Sequence, residues 1–292
     1  MSLRALLDAA VPPLAIPTVY FDTNIFYWVA SGKIPAEDWE ALRSFLRENA
    51  HHRVSLTTLY ELLNAVAGSR EETFEACKDR FRYLNVLPGT VYGPLSGEFI
   101  RTRIFGLKAR RQDFTHEALR QCVPFVLRAK ARTDLTEGRI VTHPHSLLRW
   151  GIDLARIHEQ ICRGKEDFVK QLKLLSKAPP DALARKRWAA RKVIALELER
   201  TVKNRLRIEI CLDAVYEHLA CSLEKARNLD YNFKKHETAW LDSQQLHYLA
   251  DPTHIFITND GHLKEETVKS TQSLRIVTFE ELLGFARSGA SR

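Results

Sequence analysis

The chain has 292 residues, 45% of them hydrophobic and 27% charged, with 44 Lys+Arg against 36 Asp+Glu and a net charge of +8. This length exceeds the usual single domain and predicts two domains, or one domain carrying a large insertion, in an ordinary soluble globular protein. Met1 to Ile16 carries Asp8 and Pro12-Pro13 where a secretion signal needs an unbroken apolar run, and no stretch approaches the ~20 apolar residues of a membrane span. The five cysteines (Cys77, Cys122, Cys162, Cys211, Cys221) include no CxxC pair, which argues against a zinc site or a disulfide frame. Reduced thiols, a cytoplasmic location and no membrane partner are the expectation.

The first element is the apolar and aromatic run Val19-Tyr20-Phe21 after Pro17, a buried strand by composition. It ends in Asp22-Thr23-Asn24, which puts Asp22 at a strand's carboxyl end, the edge of an open α/β sheet where ligands collect. Asp, Thr and Asn also cap helices, and Ile25 to Ala30 can be a first helical turn, so both roles stay open. Ala36 to Ala50 has Trp39, Leu42, Phe45 and Leu46 at helical spacing. Arg53 to Leu56 reads as a strand, and Thr57-Thr58 as the cap of a helix from Leu59 to Ala67 that stops at Gly68. Glu61 then lies one turn from a strand end; Thr58 to Glu61 is equally a Thr-x-x-Glu capping box. A helix from Glu71 to Tyr83 and a third strand at Leu84 to Leu87 follow, and the paired His51-His52 reads as surface.

From about Leu95 to His236 strand signals almost vanish. Helical periodicity runs from Asp181 to Asn228 without Pro or Gly, with Leu183, Val193, Leu206, Leu212, Val215, Leu219 and Leu223 among its apolar positions. Residues 101–235 hold 30 Lys+Arg and 16 Asp+Glu, net +14, and the remainder is net −6. A segregated excess of this size points to a polyanionic partner. Strand and helix alternation then returns. Thr238 to Leu249 is helical, His254 to Thr258 is an apolar strand before Asn259-Asp260-Gly261, Leu274 to Val277 is a last strand, and Thr278 to Glu281 opens a final helix as a capping box with Leu282 and Phe285 inward.

Asp260 repeats the setting of Asp22, and Asp242 sits near the start of the helix leading into the same strand. A parallel sheet brings such positions to one rim, where Asp22, Glu61, Asp242 and Asp260 can converge. Carboxylates that close repel by ~1 to 4 kcal/mol per pair unless cations intervene. All-oxygen ligands favour Mg²⁺ or Mn²⁺, and two ions bridging a phosphodiester can activate water and stabilise the leaving oxygen.

On these residues the sequence resembles the PIN-domain nuclease family. The match lies in Val19-Tyr20-Phe21-Asp22-Thr23-Asn24, in Thr57-Thr58-Leu59-Tyr60-Glu61, in Asp242 eighteen residues before Asp260, and in Phe256-Ile257-Thr258-Asn259-Asp260. The resemblance implies an α/β fold with a Rossmann-like central parallel sheet, in two parts (15–95 and 236–292) interrupted by a basic, mostly α-helical insertion (96–235). It also implies that Asp22, Glu61, Asp242 and Asp260 are the metal-binding and catalytic acids. Thr23 and Thr258, with Asn24 and Asn259 as weaker candidates, supply the accompanying hydroxyl or amide near the substrate. The activity implied is hydrolysis of nucleic acid, RNA ahead of DNA, single-stranded or structured, with one or two Mg²⁺ or Mn²⁺ ions. In the insertion, Arg185, Lys186, Arg187, Arg191 and Lys192 are the candidate phosphate-backbone contacts. A homo-oligomer or a regulatory protein partner is compatible with the same reading.

Two departures stand out: the chain is about twice the length of the small PIN toxins, and Ser243-Gln244-Gln245 stands where the family more often has small and aliphatic residues. A haloacid-dehalogenase-like phosphatase would use Asp22 as nucleophile but wants Asp at position 24, which is Asn. A non-catalytic nucleic-acid-binding or interaction protein would keep the fold and use the acids as caps. A zinc role for His143-Pro144-His145 with His158 lacks further ligands at usual spacing.

Overall fold

The computed structural model describes residues 16–67, 69–87, 91–92, 96–104, 106, 108, 123–131, 133–136, 154–177, 212–228, 230–234 and 238–289. Its central strand is β1 (Thr18–Phe21), buried along its whole length. β2 (His51–Val54) pairs with one edge of β1 and β4 (His254–Ile257) with the other, and β3 (Val91–Tyr92) and β5 (Ile276–Val277) lie outside them. The result is an all-parallel five-stranded sheet of order β3-β2-β1-β4-β5. This α/β winding is compatible with the Rossmann-like sheet expected from the sequence. The chain passes from β1 outward to β3 on one side and returns to fill β4 and β5 on the other, so the order reverses between β1 and β4. That is the switch point beside which α/β sheets leave a crevice at their carboxyl ends.

Side-chain alternation along the strands divides the core in two. Val19 and Phe21 of β1, with Val54, Ile255, Ile257 and Val277, face α1 (Thr23–Ala30), α2 (Ala36–Asn49), α3 (Leu56–Ala67), α4 (Glu71–Asn85) and the final helix, Phe279–Gly289. Tyr20, Phe256 and Ile276 face the opposite way. They are covered by Phe99 and Ile100, by α6 (Asp213–Lys225), by α7 (Ala239–Leu246) and the 3-10 turn His247–Ala250 after it, and by Leu263 of α8 (Gly261–Glu266). Tyr20 stacks on Tyr248 with ring centroids 4.7 Å apart. Between 96 and 235 every described element is helical, and both ends of that stretch help to build the second face. Within it, α5 (Leu154–Ser176) passes so close to α7 that a Cβ on Gly164 would lie 2.5 Å from the Trp240 ring. A basic-stretch helix thus crosses the helix that carries Asp242.

Several local expectations change in the structure. Leu84 is not in a strand but completes the stripe Phe74, Cys77, Phe81, Leu84 on the buried face of α4, and the third strand is Val91–Tyr92. A short apolar run does not by itself distinguish strand from helix, and the periodic run behind it prevails. α3 begins at Leu56, one turn earlier than Thr57-Thr58 suggests, because the Ser55 hydroxyl accepts the Thr58 N–H at 2.9 Å and caps it. His52 is not surface but 1% exposed, against Phe21, and burial pushes its pKa down to about 3. The final helix does open as predicted, with Glu281 N–H on the Thr278 hydroxyl and Thr278 N–H on the Glu281 carboxylate. Among the described residues no helix is long and apolar enough to cross a membrane.

One buried cation fixes the approach to β4. The Arg275 guanidinium, 8% exposed, donates to the carbonyls of Leu249 (2.7 Å), Asp251 (2.7 Å) and His254 (3.0 Å). Arg275→Met, similar in length but without donors, takes the guanidinium from the Asp251 and His254 carbonyls, while Leu249 keeps the Gln272 amide at 2.8 Å, and should lower unfolding free energy by about 2 kcal/mol in urea titration, whereas an exposed change such as Lys269→Met should cost less than about 0.5 kcal/mol.

Candidate active site

The crevice at the switch point is an open cleft of about 610 Å³. Asp22, Glu61, Asp242 and Asp260 all line it, so the structure brings together the four acids singled out in the sequence. Two arrive as helix caps and two from within helices. Asp22 follows β1 and caps α1: its Oδ1 accepts the Thr23 N–H at 2.6 Å. Asp260 caps α8, its Oδ1 accepting the N–H groups of His262 (2.9 Å) and Leu263 (3.2 Å). Both acids therefore fill the capping role as well as facing the cleft. Glu61 does not close a capping box, since Ser55 caps its helix; its carboxylate instead accepts the Thr23 hydroxyl. Asp242 projects from the first turn of α7, and no hydrogen bond or ion pair joins its carboxylate to another described residue.

The neighbouring hydroxyls and amides position the acids. Thr258, 0% exposed, donates its hydroxyl hydrogen to Asp22 Oδ2 at 2.6 Å, while its own Oγ1 accepts the Asn24 side-chain amide (3.2 Å) and the Asp260 N–H (3.0 Å). Asn259 receives the Phe279 N–H at 2.9 Å and gives its own N–H to Asn24 Oδ1 at 3.4 Å. Of the four residues expected near the substrate, Thr23 and Asn24 line the cleft; Thr258 is sealed behind Asp22, and Asn259 braces the start of the last helix. Arg185, Lys186, Arg187, Arg191 and Lys192 lie outside the described residues, as do His143 and His145 of the zinc reading.

Burial and mutual repulsion raise the proton affinity of Asp22, Glu61 and Asp242. Asp22 is pushed up to about 6 by burial, with Asp260 adding to it against the Thr258 and Thr23 hydrogen bonds. Glu61 is pushed up to about 8 by burial and by Asp22 and Asp242, with the Thr23 bond and Lys165 of α5 opposing. Asp242 is pushed up to about 7 by burial, with His218 opposing and Asp22 and Asp260 adding. The carboxylates thus stand in one another's fields, a cost that a cation relieves. The donors also suit a hard divalent ion in kind, being carboxylate and hydroxyl oxygens. Their spacing is looser: among the described residues no three His, Cys, Asp or Glu side chains are gathered closely enough to hold a metal as they stand. A complete coordination shell would require the side chains to draw together.

Three features of the site were missed in the sequence. Gln245, 2% exposed, accepts the Ser55 hydroxyl at 2.9 Å and gives its amide to Asp22 Oδ1 at 3.4 Å, joining the capped start of α3 to the first acid. The signal was present: Gln245 stands one turn after buried Leu241, at a core position, where a polar side chain needs a partner. His218, also buried, lies between the Glu266 carboxylate (2.6 Å) and the Ala239 carbonyl (2.9 Å), two acceptors that suit a doubly protonated ring, and its pKa is raised. It anchors the first residue of the helix bearing Asp242. Finally, Tyr27, Trp28, Lys33 and Arg80 share the cleft with the acids.

Comparison with protein-family models, with curated proteins and with solved structures finds no match.

The raised pKa values set a pH dependence. Each of the three carboxyls binds its proton more tightly folded than unfolded (about 4 unfolded), so its stabilisation is complete below about pH 4 and is lost as pH rises through about 6 to 8. His218, raised in the fold, adds to the same trend. Buried His52, His247 and His254, held well below the usual imidazole range, run the other way below about pH 6.5; above that, metal-free protein should melt at a lower temperature at about pH 8.5 than at about pH 6.5, and Asp242→Asn should flatten that dependence, whereas an unflattened dependence in the variant would mean that Asp242 does not share the field of the other acids.

Proposed function

We propose that this cleft is the active site of a metal-dependent nuclease on a PIN-like fold, most simply an endoribonuclease that hydrolyses phosphodiester bonds in single-stranded or structured RNA. The observation that carries the reading is the meeting of four carboxylates, from three segments distant in sequence, at the switch point of a parallel sheet. Two of them, Glu61 and Asp242, have no capping role to explain their place there. Leaving such groups partly enclosed and mutually repelling costs stability, which a structural role alone does not offset.

Asp22, Glu61, Asp242 and Asp260 would hold one or two Mg²⁺ or Mn²⁺ ions. Bound there, the ions would supply Lewis-acid polarisation of a phosphate and a more acidic water. The protein's own contribution is positional. Thr258 and Gln245 fix the two oxygens of Asp22, Thr23 fixes Glu61, and Asp260 holds its place at the cleft by committing Oδ1 to the cap of α8. Glu61, with a pKa near 8 without metal, can hold or release a proton around neutrality.

The phosphatase reading loses support at Asn24, whose side chain spans Thr258 and Asn259 in place of a second acid. The non-catalytic reading gains from the caps made by Asp22 and Asp260 but leaves Glu61 and Asp242 unexplained.

The experiment is incubation of purified protein with labelled RNA and DNA in Mg²⁺, Mn²⁺ or EDTA. Cleavage should require the divalent ion, and Asp242→Asn and Glu61→Gln should each lower it at least about 100-fold with the fold intact, since neither residue caps a helix. Full activity of Asp242→Asn, or full activity in EDTA, would sink the proposal.

A further inference from the structure

The wall of the cleft beside the acids carries two cations, and the way they are held has a chemical meaning. α1 ends in a Schellman motif: Gly32, at φ +72°, is the left-handed residue, its N–H returns to the Val29 carbonyl at 3.1 Å, and the Lys33 N–H returns to the Trp28 carbonyl at 2.9 Å. This reversal lays Lys33 back over the preceding turn, with its Nζ 5.5 Å from the Trp28 ring centre. One residue earlier in α1, the Tyr27 ring receives the Arg80 guanidinium of α4, 3.4 Å from its centre. Among the described residues neither cation is joined to a carboxylate by an ion pair or a hydrogen bond, although four carboxylates line the same cleft.

A salt bridge consumes the donors of a cation; a ring does not. A guanidinium stacked on an aromatic face uses its π surface and leaves its five N–H groups, which point outward in the plane, for another acceptor. That edge matches a phosphate in a two-pronged contact, and the Lys33 ammonium is a compact charge of the kind that takes a single phosphate oxygen. The rings thus keep both cations in place and un-neutralised at the mouth of an acidic cleft. The cleft volume, about 610 Å³, is within the roughly 300 to 1,000 Å³ of small-ligand sites and admits a nucleotide unit.

We infer that Lys33 and Arg80 form a phosphate subsite, which binds a backbone phosphate of a single-stranded nucleic acid next to the one held at the acids. The inference rests on the nuclease reading for its ligand and on the aromatic-held cations for its place. It also supplies phosphate contacts on the α/β core itself, separate from those expected in residues 96–235.

The test is fluorescence anisotropy of a labelled oligouridylate of roughly 12 nucleotides, in EDTA, over a series of salt concentrations, with wild type and the double variant Lys33→Gln/Arg80→Gln. The variant should bind about tenfold more weakly, and its slope of log affinity against log salt should be shallower by about 0.7 for each lost contact. The Mn²⁺-induced thermal shift should stay as in wild type, because neither residue is among the acids. Lys33→Gln alone, at an exposed position, keeps the test open should the double variant not fold; it should lose one contact's share of the slope. Unchanged affinity and slope in folded variants would overturn the subsite while leaving metal-dependent cleavage standing. Loss of slope in a protein that cleaves no nucleic acid would overturn the nuclease reading and leave a phosphate-binding cleft.

Discussion

A single hydroxyl ties the ends of the two central strands together. Thr258 stands wholly buried just past β4, donates to the carboxylate that ends β1, and accepts from Asn24 and from the backbone of Asp260. Because a hydroxyl offers one hydrogen and two lone pairs, all of its capacity is used, and each partner belongs to the switch point. The two aspartates that cap helices in opposite halves of the sheet are thereby held through one atom. A cap alone would leave each free to serve only its own helix. The shared hydroxyl instead makes the two caps one rim, from which Thr23 carries the order on to Glu61 and Gln245 carries it on to Ser55.

Much of this rim was legible in the sequence because it is written locally. A strand, an acid and a hydroxyl within a few residues recur at Asp22 and at Thr258 to Asp260, and the common direction of parallel strands then puts both at one edge. Glu61 and Asp242 followed from their spacing to the adjacent strand ends. What escaped was whatever depends on contact between distant segments. Gln245 is only a polar residue out of place in a helix until Ser55, 190 positions away, is placed against it. His218 reads as one of eleven histidines until Glu266 and Ala239 close on both of its nitrogens. Arg80 looks like a solvent-facing residue of α4 until α1 brings Tyr27 beneath it. Leu84 to Leu87 shows the opposite failure, where a local apolar run outweighed the longer helical period it belonged to.

The second face of the sheet changes how the middle of the chain should be regarded. Phe99 and Ile100 near one end of the stretch 96–235, and Leu212 to Leu219 near the other, pack on Tyr20 and Phe256. The stretch is therefore rooted in the core at both ends, and closing so long a connection carries an entropy cost that grows only as the logarithm of its length, about 0.6 kcal/mol per doubling. Between those roots, α5 crosses α7 at Gly164, and its Lys165 is felt at Glu61. Positive charge from the basic stretch thus reaches the acidic rim.

The pairing of β1 with β4 also governs when the site can exist during synthesis. Asp22 leaves the ribosome early, yet its hydroxyl partner Thr258 is 236 residues behind it. At about 5 to 20 residues per second that interval lasts on the order of 10 to 50 seconds. Throughout it the first acid and its helix can form with β2 and β3, but the crevice lacks one bank. If the cleft cuts nucleic acid, the chain cannot do so during that interval; catalytic competence arrives only with the strand that completes the sheet.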